Sequence, residues 1–213
     1  MFVKQFLTGG DRNFGYLMAD DTSKNAAIID PSYSPKVIYD YAIDNGYRIA
    51  YVFITHDHYD HSNGNDLIMK LSGIRPLLFG DTEPQTGQTV TDGTSFPLGA
   101  LTIKIIHTPG HTSDSICIYV GDAVFTGDTL FVGKVGGTDF GANARAEYDS
   151  IFNKLLTLPD DTRVFPGHNY GIAPESTIKN ERETNPFLIQ PDIEAFIDLK
   201  RNWVEYKRIH GIS

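Results

Sequence analysis

Over the first two thirds of the chain, apolar and polar positions fall into short runs cut by Gly, Asn and Asp. "FVKQFL", "FGYLMAD" and "AAIID" predict the strands of a small antiparallel meander. In "PKVIYDYAIDNG" the apolar Val37, Ile38, Tyr41 and Ala42 share one helical face, and Asn45-Gly46 supplies the stop. "RIAYVFITH" is nearly continuously apolar, the pattern of a strand covered on both faces. "NGNDLIMKLSG" predicts a helix ending at Gly73. "PLLFG", "QTVTDG", "TSFPLG" and "ALTIKIIH" read as strands, and "SICIYVGDAVFTGD" as a hairpin turning at Gly121-Asp122. "AEYDSIFNKLLTL" is an amphipathic helix stopped before Pro159, and "TRVFPGH" a last strand. From Pro174 onward the pattern is helical, broken around Asn185-Pro186. There Phe196, Leu199, Trp203, Tyr206 and Ile209 lie at helical spacing, a face expected to dock on the rest of the protein.

The order of elements implies a mixed α/β protein. With no linker-like shift in composition and no short-period repeat, residues 1–213 are expected to form one domain, with 174–213 as a helical C-terminal extension. Hydrophobic residues make up 40% and charged residues 21%, a globular balance. The net charge of −9 argues against nucleic acid as a ligand, and even the densest basic stretch, "KRNWVEYKR", is interrupted by Glu205. The single cysteine, Cys117 in "SICIYV", reads as a small apolar residue in a buried strand. The opening "MFVKQFLTGGDRN" lacks the apolar core of a signal peptide, and no apolar run approaches the roughly 20 residues that cross a bilayer. A soluble cytoplasmic protein acting on a small molecule is the expectation, as a monomer or homodimer.

Four sites follow apolar strands directly. "THDHYDH" (Thr55 to His61) follows "IAYVFI", His111 in "HTPGHTSDS" follows "LTIKII", Asp128 in "FTGDTLF" follows "DAVF", and His168 in "FPGHNYG" follows "TRVF". Gly110, Gly127 and Gly167 each precede a candidate ligand, where glycine permits a tight turn. His56, His58, Asp60, His61, His111, Asp128 and His168 supply five imidazoles and two carboxylates and no thiolate, a donor set suited to zinc, iron, manganese or cobalt. Seven donors exceed the needs of one tetrahedral ion. Two divalent ions sharing a bridging carboxylate would use all seven and keep positions open for water, the mark of a catalytic site. Asp60 is the expected group beside the nucleophile. Lys134 and Tyr170 are candidate substrate contacts. His107 is expected to be structural and His210 solvated.

The signature His56, His58, Asp60, His61, followed by His111, Asp128 and His168, resembles the metallo-β-lactamase superfamily. The resemblance implies a four-layer αββα sandwich with the metals along one edge of two stacked sheets. It implies that His56, His58 and His111 hold one ion, that Asp60, His61 and His168 hold the other, and that Asp128 bridges them. Zinc is the expected metal, with iron or manganese compatible. Asp30 in "IIDPS" matches a superfamily aspartate below the metal loop, where it would fix ligand orientation. "HTPGHTSDSICIYV", "FTGDTLFVG", "LPDDTRVFPGHNYG" and "NERETNP" resemble the glyoxalase II branch, which implies hydrolysis of a thioester such as S-lactoylglutathione by a metal-bridging hydroxide. Two features differ from that branch. Gly137 stands where a basic residue helps hold glutathione, and only 45 residues follow His168. The short tail and "GTDF" are similar to the persulfide dioxygenase branch, which implies a single iron on His56, His111 and Asp128, although that branch too is basic where Gly137 stands. A lactonase or β-lactamase-like hydrolase, or a metal-binding module without catalysis, are further alternatives.

Overall fold

The computed structural model describes residues 1–211, the side chain of residue 140 excepted. β1 (Phe2–Gly9) and β2 (Asn13–Ala19) form a hairpin, and β3 (Asn25–Ile29) pairs antiparallel with β2. This is the meander expected from the alternating runs. α1 (Pro35–Asp44) then crosses to β4 (Arg48–Phe53), which is parallel to β3. The short α2 (Tyr59–Ser62) and then α3 (Asn65–Ser72) lead to β5 (Pro76–Leu77), parallel to β4. The first sheet therefore has the order β1-β2-β3-β4-β5.

The second sheet takes β6 (Ser95–Leu98), β7 (Leu101–His107), β8 (Ile116–Val120) and β9 (Ala123–Gly127) as an antiparallel run. Next come a small ribbon of β10 (Leu130–Phe131) and β11 (Lys134–Val135) and the helix α4 (Ala144–Asn153). β12 (Arg163–Pro166) returns parallel to β9, and β13 (Ser176–Thr177) closes the edge. α5 (Ile178–Thr184), α6 (Ile193–Arg201) and α7 (Trp203–His210) complete the chain.

Three apolar clusters define the layers. Phe14, Tyr16, Phe53, Phe96, Phe125 and Phe165 pack between the two sheets. Leu17, Ile28, Val52 and Ile54 on the outer face of the first sheet meet Ile38 and Ala42 of α1 and Ile68 of α3. Ile106, Cys117, Val124 and Val164 on the outer face of the second sheet meet α4, α5 and α6 through Ala144, Ile151, Ile178 and Phe196. The result is the αββα sandwich. Cys117 is buried in β8, and burial pushes its thiol up to about 11.

Several elements differ from the sequence pattern. Val37 is 57% exposed, so the buried face of α1 is set by Pro35, Ile38 and Ala42 without it. "QTVTDG" forms no strand, only an isolated bridge between Thr82 and Thr89. The Glu83 carboxylate takes the backbone N–H groups of Gln85 and Thr86, so local side-chain bonds hold a turn where a ladder was expected. "PLLFG" contributes only two strand residues. The C-terminal helical pattern breaks a second time at Asn202, where α6 ends and α7 starts, and Ile209 lies 63% exposed.

β3, β4, β7, β9 and β12 all end at the same edge. β3 and β4 are parallel, β9 and β12 are parallel, and β7 runs with β9 because both pair antiparallel with β8. The tip of the β1–β2 hairpin ties the two sheets together there: Phe14 N–H donates to Gly167 O (2.8 Å), and Asn169 N–H donates to Arg12 O (2.9 Å). Among the described residues, no helix is long and apolar enough to cross a membrane.

Candidate metal centre

Each strand end delivers one part of the cluster. β4 leads into Thr55–His61, β7 into the loop of His111, β9 into Asp128 and β12 into His168. Gly127 adopts φ +48, a conformation side chains resist, which turns the chain sharply before Asp128. Gly167 acts differently. Its backbone is unstrained, but a Cβ there would collide with Asp128 Oδ1 and come within 2.9 Å of His61 Cε1. That glycine is required by close approach, not by backbone freedom.

The seven expected donors converge. His58 Nδ1 lies 3.0 Å from His56 Nε2 and 3.0 Å from His111 Nε2. His61 Nε2 lies 3.2 Å from His168 Nε2, and Asp60 Oδ2 lies 3.3 Å from the latter. Asp128 stands between the two groups. Its Oδ1 is 3.3 Å from His61 Nε2, and its Oδ2 is 3.5 Å from His111 Nε2 and 3.4 Å from His168 Nε2. His56, His58 and His111 form one set with metal-ligand spacing, and Asp60, His61 and His168 form another.

The outer nitrogen of four imidazoles is already committed. His111 Nδ1–H donates to Gly137 O (2.8 Å), and His168 Nδ1–H donates to Asp11 O (2.8 Å). His61 Nδ1–H donates to Asp30 Oδ2 (2.9 Å). Asp30 also accepts the Thr55 N–H (2.8 Å) and the Thr55 hydroxyl (2.7 Å), which leaves Thr55 Oγ1 to accept from His56 Nδ1–H (3.1 Å). In their neutral form, imidazoles held this way present bare Nε2 lone pairs to one another. A single proton on His58 Nδ1 can satisfy only one of its two neighbours; a cation satisfies all three nitrogens. Asp128 Oδ1 is a buried carboxylate oxygen without a hydrogen-bond partner, which is costly unless a cation completes it. The donor set fits two divalent cations on these observations.

The electrostatics separate the imidazoles into two kinds. Burial lowers His56 to about 3, so this ring is neutral and ready to ligate at any ordinary pH. Burial also lowers His111, against the pull of Asp128. His61 is buried too, but the charges of Asp128 and Asp30 outweigh desolvation and hold its pKa well above the usual histidine value. Burial opposes charge on Asp128 as well. His61 and His168 overcome it and keep this carboxylate far below its usual range.

Asp60 lies beside this cluster with its Oδ2 accepting from Asn13 Nδ2 (2.8 Å), and the Ser32 hydroxyl bonds its backbone carbonyl. Lys134 and Tyr170 line one cavity of about 300 Å³ with Phe131, Gly137, Phe187 and Trp203. Tyr170 is no core tyrosine. Its ring stacks on His168 at 4.6 Å, and its hydroxyl donates to Asp11 Oδ2 (2.7 Å). Burial lowers the Lys134 pKa, helped by the like charges of Lys207 and Arg12. His107 stands apart, stacked on Phe79 at 4.0 Å and bonded to Ser113 O, and His210 is exposed.

Sequence reasoning missed Asn13, Asp11 and the carbonyl of Gly137. Asn13 is fully buried, yet in "DRNFG" it reads as an ordinary turn residue. The other two hold their imidazoles through backbone oxygens, which no side-chain pattern encodes.

Residues 8–85 and 78–168 match the family model described as the Metallo-beta-lactamase superfamily. A probable hydroxyacylglutathione hydrolase, glo2, of Schizosaccharomyces pombe is 32% identical over 201 residues, covering 91% of this chain and 76% of that protein. A hydroxyacylglutathione hydrolase of Dictyostelium discoideum is 35% identical over 192 residues, covering 84% and 68%. The crystal structure of ETHE1 from Myxococcus xanthus superposes with a TM-score of 0.86 at 32% identity, covering 95% of this chain and 91% of that one.

Proposed function

Since the chain belongs to the metallo-β-lactamase superfamily, we propose that it is a metal-dependent hydrolase of a thioester such as S-lactoylglutathione. The observation that carries this reading is the position of Asp128, whose two oxygens face both groups of imidazoles. His56, His58 and His111 would hold one divalent ion, Asp60, His61 and His168 the other, and Asp128 both. Zinc is the expected metal. When bound, such a pair lowers the pKa of water so that hydroxide is available at neutral pH, and it draws electron density from a carbonyl oxygen.

The chain's own residues supply the rest. The acceptors Thr55, Gly137, Asp30 and Asp11 fix four imidazole tautomers, so the ligating nitrogens need no reorganisation. Asn13 holds one oxygen of Asp60, which orients the carboxylate toward the attacking water and lets it accept that water's proton. The cavity of Phe131, Lys134 and Tyr170 lies next to Gly137 and suits the thiol-bearing half of the substrate, with Lys134 attracting a carboxylate of that half. Hydrolysis breaks the C–S bond, water supplies the new C–O bond, and the proton from water ends on the thiol.

A second reading uses the same site. His56, His111 and Asp128 would supply the two histidines and one carboxylate of the kind that holds a single iron in oxygen-using enzymes; His56 shares metal-ligand spacing with each of the other two, and His111 Nε2 lies 3.5 Å from Asp128 Oδ2. Protein purified without added metal and supplied with S-lactoylglutathione separates the two. Release of free thiol without oxygen uptake is expected. Oxygen consumption with glutathione persulfide, and no thioester turnover, would replace the hydrolase reading with the oxygenase one.

A further inference from the structure

The geometry points to Lys200 and Glu147 as a buried pair of positioning residues that holds the two backbone segments flanking His111 from the C-terminal helix α6. The inference rests on the reading of His111 as a metal ligand.

Lys200 on α6 pairs with Glu147 on α4, and both side chains are buried. The Lys200 ammonium also donates to the carbonyl of Gly136. Gly136 has no room to shift. A Cβ there would collide with Asp128 O and come within 3.1 Å of His111 Cβ. The next carbonyl, Gly137 O, is the acceptor that fixes the His111 tautomer. Lys200 therefore fixes the peptide next to the one whose carbonyl fixes the imidazole.

Glu147 acts on the other side of the same histidine. Gly110, which precedes His111, lies so close that a Cβ would come within 2.5 Å of Glu147 Cα and 2.7 Å of its nitrogen. One turn further along α4, the Ser150 hydroxyl donates to Pro109 O (2.7 Å). The helix end that carries Glu147 thus seats residues 109–110, while its partner Lys200 seats residue 136.

A wholly structural role explains this pair poorly. Glu147 Oε1 is buried with no hydrogen-bond partner, so the pair is incompletely satisfied. Burial pushes Glu147 up to about 7 even beside Lys200. Buried ion pairs contribute little net stability, and apolar residues of similar volume often do as well or better. The Lys200 hydrogen bond to Gly136 O gives the pair a function that apolar residues cannot supply.

The test compares Lys200→Met with the double variant Lys200→Met/Glu147→Leu, using zinc titrated against a chromophoric chelator. The single variant strands a buried carboxylate and can fail to fold. The double variant removes both charges together and keeps the core apolar. We expect it to fold, to bind one of two zinc ions at least about ten-fold more weakly, and to bind the other as before. In the metal-free protein, the His111 Nδ1–H resonance should exchange faster with solvent than in the parent. A folded double variant with parental zinc affinity and a protected His111 Nδ1–H would overturn the inference. His111→Gln is the control for the underlying reading: if it leaves both zinc ions bound with parental affinity, His111 is no ligand and the metal assignment itself fails.

Discussion

His61 Nδ1 lies 2.9 Å from Asp30 Oδ2, and both side chains are buried. Asp30 thereby joins two candidate ligands at once, His61 directly and His56 through Thr55. Its backbone is held at φ +45, a conformation that costs free energy for a non-glycine residue. Such strain is tolerated where the surroundings over-determine it, as these bonds do.

Asp30→Ala should therefore cost both stability and metal. Thr55 and His61 would lose buried acceptors, a loss on the order of 3 kcal/mol in urea denaturation. Zinc affinity should fall by roughly 10- to 100-fold in chelator competition. Unchanged zinc affinity in a folded variant would show that Asp30 serves the fold alone.

Asn13→Ala should reduce turnover even when the variant is fully loaded with metal. It removes the donor that holds Asp60 Oδ2 at 2.8 Å. A hydrogen bond to a charged group is worth about 1.5–3 kcal/mol, which corresponds to roughly a 10- to 100-fold loss in kcat. Parental kcat in the metal-loaded variant would remove Asn13 from the mechanism.

Metal uptake should release protons. In the metal-free protein the charges of Asp128 and Asp30 raise His61 despite its burial, and the hydrogen bond and charge of Asp128 likewise raise His168. Both groups bind protons more tightly folded than unfolded. Their contribution to metal-free stability is full below the unfolded value of about 6.5 and is lost as pH rises through the raised folded values. A cation must displace those protons, so zinc affinity should rise with pH. Calorimetry at pH 7 in buffers of different ionisation enthalpy should give buffer-dependent heats; identical heats would contradict it.

Cys117 should be inert in the native state. Burial raises its pKa to about 11, so almost no thiolate exists at neutral pH. A thiol reagent at pH 8 should label it only as the protein unfolds. Stoichiometric labelling within minutes under native conditions would show that β8 opens.

The cluster of candidate ligands was legible in the sequence because imidazoles and carboxylates are rare in such density, and because each part follows an apolar strand. The sheets were legible for a similar reason, since buried strands such as "RIAYVFI" and "SICIYV" carry their own pattern. Asn13 was not, since its role depends on a hairpin tip meeting residues 47 and 155 positions away. Gly137 drew notice only for the basic side chain it lacks, while the structure uses its carbonyl. Lys200 sat in a helical pattern that pointed to docking, and nothing local paired it with Glu147, 53 positions earlier. The break at Asn202 escaped notice because the apolar spacing continues across it from Leu199 to Trp203.

Counting zinc ions per chain before and after Asp128→Ala is the most direct measurement. The parent, loaded with zinc and passed through gel filtration, should retain two ions per chain, and Asp128→Ala should lose most of both, because that carboxylate faces both groups of candidate ligands. A parent that retains no zinc, or an Asp128→Ala variant that keeps two ions with parental affinity, would contradict the shared centre.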